Sequence, residues 1–276
     1  MPAPSPPALP AGLGARLQFG ARAAVKGMAF PFHHPSLLGL VALVLLSYSA
    51  VWLLLLGLAA KYDQLLVDWL VAPSGPEWWA RALTALATGA AYVLTWLAAL
   101  FAASALALPL CGPLLSLLAD RVEHCAMGQT GPMPPWTALL PEMARGMVRG
   151  LTLSLLLTVG NAWIWLAGAA LGAVLPPLGA VFAFLVGALW QALGAATMTA
   201  SYVLENQRTS LADQLAALQR NAAIWVGFGA VALPLCWIPV GVPLAVTGAT
   251  LLALQLHQMG QLRMPARESA VSSAET

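Results

Sequence analysis

The chain is 276 residues long, 60% hydrophobic and only 8% charged, with a formal net charge of +2. Soluble domains carry about 25% charged residues, so this composition reads as an integral membrane protein. A balance so close to neutral, with no basic stripe interleaved with aromatics, excludes an electrostatic case for nucleic acid.

Met1 to Pro10 holds five prolines and no periodic apolar pattern, and it lacks the basic and apolar regions of a cleavable signal. Residues 1–11 are therefore expected to be a disordered Pro-rich tail, 12–260 a single membrane domain and 261–276 a disordered polar tail. From Gly12 to Phe30, Leu13, Leu17, Ala21, Ala24 and Met28 keep helical spacing, while Gln18, Arg22 and Lys26 recur on another face. That pattern predicts an interfacial helix. Pro31 and Pro35 are expected to end it, and Ser36 can cap the next helix.

Leu37 to Ala60 is uncharged over 24 residues and predicts the first span, closed by Lys61. Tyr62 to Ala80 mixes Asp63, Asp68 and Glu77 with Trp69, Trp78 and Trp79, a composition suited to headgroup level. Ala82 to Ala119 runs 38 residues without charge, with Pro109, Gly112 and Pro113 marking a break, so a span to Leu108 followed by a bend is predicted. Beyond it, Leu114, Leu117, Leu118 and Val122 share a face. Asp120, Arg121 and Glu123 then bring the chain to water. Asp120 with Glu123 and His124 is the one polar cluster resembling catalytic machinery, and a solvated helix end accounts for it, so no enzyme is expected.

Gly128 to Pro135 reads as a Pro/Gly loop. Leu140, Met143, Ala144, Met147 and Val148 then form one face of a second interfacial helix, with Glu142, Arg145 and Arg149 opposite. It leads into Leu151 to Leu204, 54 residues without Asp, Glu, Lys, Arg or His. Pro176-Pro177-Leu178-Gly179 folds this stretch into a hairpin whose arms are each long enough to cross the roughly 30 Å hydrocarbon core. Asn161 lies 15 residues before Pro176 and Gln191 lies 14 after Pro177, so the two amides fall at one depth and predict an intramembrane polar pair. Such a pair serves either helix packing or a path for a polar solute. Gly160, Gly168, Gly172, Gly187 and Gly194 are expected to let the arms approach closely.

Ser210-x-x-Asp213 has the form of a capping box, with Leu211, Leu215, Leu218 and Ala222 at helical spacing behind it. Ala222 to Leu256 is uncharged, but Pro234, Pro239, Gly241 and Pro243 cut it into pieces too short to span. Irregular backbone at membrane depth is tolerated only inside protein or beside water, so a re-entrant hairpin is predicted.

Cys111, Cys125 and Cys236 show no CxxC spacing, His33-His34 point about 100° apart on a helix, and His124 and His257 are isolated, so no metal site and no cofactor is read. The fold class is an all-α integral membrane protein. Its predicted parts are two long transmembrane helices, a Pro-Pro-turned helical hairpin, a Pro-broken re-entrant hairpin and amphipathic interfacial helices. With the N terminus inside, Arg16, Arg22, Lys26, Arg121, Arg145, Arg149, Arg208, Arg220, Arg263 and Arg267 are cytosolic, against only Lys61 and Arg81 outside.

The final third carries Tyr202 before an amphipathic helix, Arg220-Asn221, Gly227-Phe228-Gly229, Ile238-Pro239, Pro243 and Gly248-Ala249-Thr250. Further forward stand Lys26-Gly27, Pro35-x-Leu37, Leu108-Pro109 and Leu118 to Glu123. With these motifs the chain resembles the CysZ sulfate-transporter family, grouped with the etoposide-induced membrane proteins. The resemblance implies a multi-pass protein of a bacterial-type inner membrane, with hairpins that penetrate the bilayer partly. It also implies a homo-oligomer and a pore or facilitator for a small anion such as sulfate. Two departures stand out: Leu38 and Gly39 occupy positions where that family usually carries a basic pair, and only Val240, Gly241 and Val242 separate Ile238-Pro239 from Pro243. With the basic pair gone, anion binding is expected to use backbone N–H groups at a helix start near His33, His34 and Ser36, assisted by Arg22 and Lys26. The same loss suits a membrane scaffold or assembly partner without transport. The partners expected are the lipid bilayer and sulfate or a related anion.

Overall fold

The computed structural model describes residues 9–70, 77–128, 136–207, 209–236 and 238–262. The expected tails over 1–8 and 263–276, most of the Pro/Gly loop, and Arg208, Arg263 and Arg267 lie outside the described residues. So do the side chains of Leu140, Glu142, Met143, Ala144 and Arg145. The helices in chain order are α1 (Leu13–His33), α2 (Pro35–Leu70), α3 (Trp78–Ala126), α4 (Trp136–Val174), α5 (Pro176–Asn206), α6 (Leu211–Arg220), α7 (Ala222–Cys236) and α8 (Gly241–Gln258). No strand occurs among the described residues. The contacts divide the chain into two compact units, one holding the chain up to Leu45 and from Gly112 onward, the other Leu46–Cys111.

The Leu46–Cys111 unit carries most of the two long apolar helices. Leu46, Leu53, Leu54, Leu86 and Leu94 are each more than 60% exposed, a surface that only hydrocarbon makes favourable. Among the described residues, three helices are long and apolar enough to cross a membrane, over Pro35–Trp69, Gly146–Val174 and Pro176–Asn206.

Several boundaries differ from the sequence reading, each for a backbone reason. α1 runs through Pro31 to His33, because a proline in the last turn removes one hydrogen bond while its ring packs into the core. α2 continues past Lys61 to Leu70; one charge ends an apolar run but leaves the i→i−4 backbone ladder untouched. α3 continues through Pro109 and Pro113 to Ala126. A proline costs a helix about 3 kcal/mol, whereas unwinding at membrane depth would strand several backbone groups at several kcal/mol each. The second interfacial helix and the first hairpin arm are one helix, α4. Pro176 and Pro177 do not form the turn but begin α5, and Leu175 alone separates the arms.

In the larger unit, α7 packs against α1 and α5, and α8 against α1, α5 and α7. α1 is therefore a packed helix on one side, burying Gly20, Ala23, Ala24, Gly27, Met28 and Pro31, rather than an element lying only on the bilayer. The contacts are backbone to backbone. A Cβ at Gly20 would stand 1.9 Å from Ile224 O, at Gly27 2.3 Å from Gly248 Cα, at Gly227 2.0 Å from Leu17 O and at Gly229 1.8 Å from Ala192 O. α7 and α8, at 15 and 18 residues, are about 22 and 27 Å long, short of the roughly 30 Å core. From α5, Ala192 to Leu204 is largely buried in this body, whereas the hairpin tip is not: Val174 is 76% and Phe184 72% exposed.

Candidate functional site

The expected anion site falls at the corner between α1 and α2. His34 is the single non-helical residue there, its N–H bonded to Pro31 O at 3.1 Å. Pro35 brings no N–H to the start of α2, and the Leu37 N–H is spent on His34 O at 2.9 Å, so this helix start offers fewer donors than an ordinary one. Ser36 is exposed as the second residue of α2. His33 Nδ1 lies 3.0 Å from Ala29 O and His34 Nδ1 3.0 Å from Phe30 O. A carbonyl only accepts, so in this geometry each ring donates from Nδ1. The Phe30 ring stacks on His34 at 4.0 Å between centroids.

Arg22, Lys26 and His33 share the exposed face of α1. Along the axis Lys26 precedes His33 by about 10 Å and Arg22 by about 16 Å. The five residues form a strip, not a pocket, and no small oxyanion touches all of them.

The second expected feature is formed directly: Gln191 Nε2 donates to Asn161 Oδ1 at 3.1 Å between α5 and α4. Nearby, Trp190 Nε1 donates to Leu157 O at 3.0 Å. Gly160 leaves room for that indole, since a Cβ there would stand 2.2 Å from Trp190 Cζ2. Gly168 and Gly172 face Gly179 and Ala183, and Gly194 faces Leu157. Gly187 differs, because a Cβ there would meet nothing within 4 Å. In a double-mutant cycle, Asn161→Leu and Gln191→Leu should couple by about 0.6 kcal/mol, the usual size for membrane polar pairs. Additive effects on thermal unfolding would mean the bond contributes nothing to stability.

A polar clamp on the α5–α6 link was not legible in the sequence. Ser116 Oγ donates to Asn206 Oδ1, and Asn206 Nδ2 returns to Ser116 O at 2.9 Å. Gln207 Nε2 donates to Glu123 Oε1 at 2.7 Å, and Arg149 Nη2 donates to Thr209 O at 2.8 Å. The Gln214 amide oxygen, turned toward its donors, accepts from Arg149 Nη2 at 3.0 Å and from Glu205 N–H at 3.3 Å. Glu123 is thus only 4% exposed, not part of a solvated helix end. It lies four and eight residues after Ala119 and Leu115, both fully buried, and that spacing was the available signal. A polar cleft of about 610 Å³ opens beside α6, lined by residues including Ser210, Asp213, Gln214, Arg220 and Gln261. Among its described lining residues, the Arg220 guanidinium is matched by the Asp213 carboxylate. Ser210 caps α6, accepting the Asp213 N–H at 3.1 Å.

The remaining sequence motifs converge on packing. Gly27 meets Gly248, Phe228 touches Gly248, Gly227 meets Leu17 and Gly229 meets Ala192. Asn221 is buried at the α6–α7 junction, its carbonyl accepting from Ile224 and Trp225 N–H. Tyr202 is buried, and a Cβ at Gly112 would lie 3.6 Å from its ring. Residues 23–246 match the family model described as Sulfate transporter CysZ/Etoposide-induced protein 2.4. The chain belongs to this family. The match runs from the middle of α1 into the first turns of α8, so it covers most of the glycine-packed body but not the first half of α1 or the rest of α8. No curated protein matches the chain. Membership in this family together with apolar helices of spanning length makes the chain a membrane protein of a sulfate-transporter family. At the two positions where the resemblance implies a basic pair, Leu38 is 39% exposed and a Cβ at Gly39 would meet nothing within 4 Å. The corner has room for the missing side chains.

Proposed function

We propose that this protein is a multi-pass facilitator for a small anion such as sulfate, in a bacterial-type inner membrane with both termini cytosolic. The observation that carries the reading is the family match over residues 23–246. Anion capture falls to the α1–α2 corner, where His33, His34 and Ser36 stand nearest a helix start and Lys26 lies within about 10 Å along α1. Lys26 and Arg22, about 10 and 16 Å along the strip, contribute long-range field only. His33 and His34 stand nearest the expected capture point, so removing both should lower sulfate uptake. Sulfate flux into liposomes reads this directly. Flux above empty vesicles, reduced by His33→Ala/His34→Ala, supports the reading. A specific observation favours the second one, a membrane scaffold without transport: the uncharged, unfilled positions Leu38 and Gly39. Absence of flux with intact folding would give the scaffold the lead. Light scattering of the purified protein reads the expected homo-oligomer.

The hairpin of α4 and α5 is proposed to enter the bilayer only halfway. Trp163 and Trp165, 68% and 59% exposed, lie about 15–18 Å from the Leu175 turn along α4. If those indoles sit at headgroup level, the tip reaches the midplane of a roughly 30 Å core, and the Asn161–Gln191 pair, about 21 Å from the turn, lies at the interface rather than in hydrocarbon. The tip suits hydrocarbon: Pro176 and Pro177 carry no N–H, the Gly179 N–H bonds Leu175 O at 3.0 Å, and the Leu175 N–H bonds Leu171 O at 2.8 Å. Few donors are left to demand water. In a cysteine-free background, Glu77→Cys should react with an impermeant thiol reagent outside intact cells, and Leu178→Cys should not. Outside labelling of Leu178→Cys would make the hairpin a full span.

A further inference from the structure

The outward half of α1 is itself two-sided. Its buried residues, Gly20 through Pro31, fill the sector packed on α7 and α8. At 100° per residue, Arg22, Lys26 and His33 fall within about 40° of one another on the opposite sector, and all three are exposed. Val25 and Phe32, 60% and 65% exposed, form a separate apolar line roughly 90° around the helix from the basic one.

A helix anchored in protein on one sector, with an apolar line beside a cationic line, has the build of a bilayer-surface element. The apolar line dips toward acyl chains while the cationic side chains stay with the phosphates. The basic line is also about 16 Å long, more than one small oxyanion can cover. We propose that this face of α1 is a binding surface for anionic phospholipid, with Arg22 and Lys26 on headgroup phosphates and Val25 and Phe32 seated at the acyl boundary. Charge complementarity selects the occupant, because two exposed cations beside exposed apolar side chains favour an anionic amphiphile over a neutral one. The proposal does not depend on anion conduction.

The test is a calorimetric titration of the full chain in neutral detergent with short-chain phosphatidylglycerol and with phosphatidylcholine of the same chain length. Phosphatidylglycerol should bind at least about tenfold tighter than phosphatidylcholine, and Arg22→Gln/Lys26→Gln should lose roughly 30-fold of that affinity, each cation near an anionic surface being worth about fivefold. Val25→Ser/Phe32→Ser should weaken both lipids alike. All four side chains are exposed or outward, so these variants keep the fold, which a thermal melt checks. Equal affinity for the two lipids, or an undiminished preference in the charge variant, overturns the proposal. So does displacement of phosphatidylglycerol by millimolar sulfate beyond a chloride control, which would assign the same cations to a free oxyanion.

Discussion

Gly229→Ala should cost this protein roughly 3 kcal/mol or more, and Gly229→Leu should leave no folded protein to purify. The added Cβ would lie 1.8 Å from Ala192 O, with the carbonyl carbon at 2.6 Å. Overpacking against a side chain is relieved by rotamer changes at about 1–3 kcal/mol. Here the obstacle is α5 backbone, so α5 and α7 must separate along their length and the close contacts of α7 with α1 loosen with them. Gly187→Ala is the matched control, since nothing lies within 4 Å of its new methyl group and alanine is favoured over glycine in a helix by up to about 1 kcal/mol. Thermal unfolding in detergent should show a large drop for Gly229→Ala and no loss for Gly187→Ala. Equal melting of both would mean that the α5–α7 approach is looser than the structure has it.

Restoring the basic pair should have the largest effect on function. Leu38→Arg/Gly39→Arg places two guanidinium groups on α2 within one turn of Ser36, at an exposed leucine and a glycine with open space beside it. Hydrogen bonds to charged groups contribute about 1.5–3 kcal/mol each, and guanidinium matches an oxyanion bidentately. Even half of that range across two residues raises sulfate affinity more than tenfold. The double variant should therefore bind sulfate at least tenfold tighter in calorimetry and pass it faster in liposomes. If sulfate affinity and flux stay at parental values, the α1–α2 corner is not where this chain meets anions.

Solvent quality made part of this architecture legible from the residues alone. Uncharged runs long enough for a bilayer can only be helical there, because hydrocarbon satisfies no backbone group, and so the spans, the hairpin and the short final pieces could be read directly. Counting residues from Pro176-Pro177 was enough to bring Asn161 level with Gln191, because helical rise is constant and the turn fixes the zero of depth; their 3.1 Å bond is local geometry extended along two helices. The capping by Ser210 was readable for the same local reason. Tertiary packing, by contrast, set how far each helix runs and which face it buries. Pro31, Lys61, Pro109 and Pro113 are local stop signals that a continuous backbone ladder overrides. Helical spacing assigns the inward face of α1 to its larger apolar residues, yet Leu13 is 69% exposed while Gly20 and Gly27 sit against the backbone of α7 and α8. Close packing of helices selects the smallest side chain, and hydrophobicity along one strand of sequence does not carry that choice. Glu123 reads as solvated in the sequence because its partner, Gln207, is 84 residues away. No periodicity within a single helix can announce a hydrogen bond to a link that folds back from elsewhere.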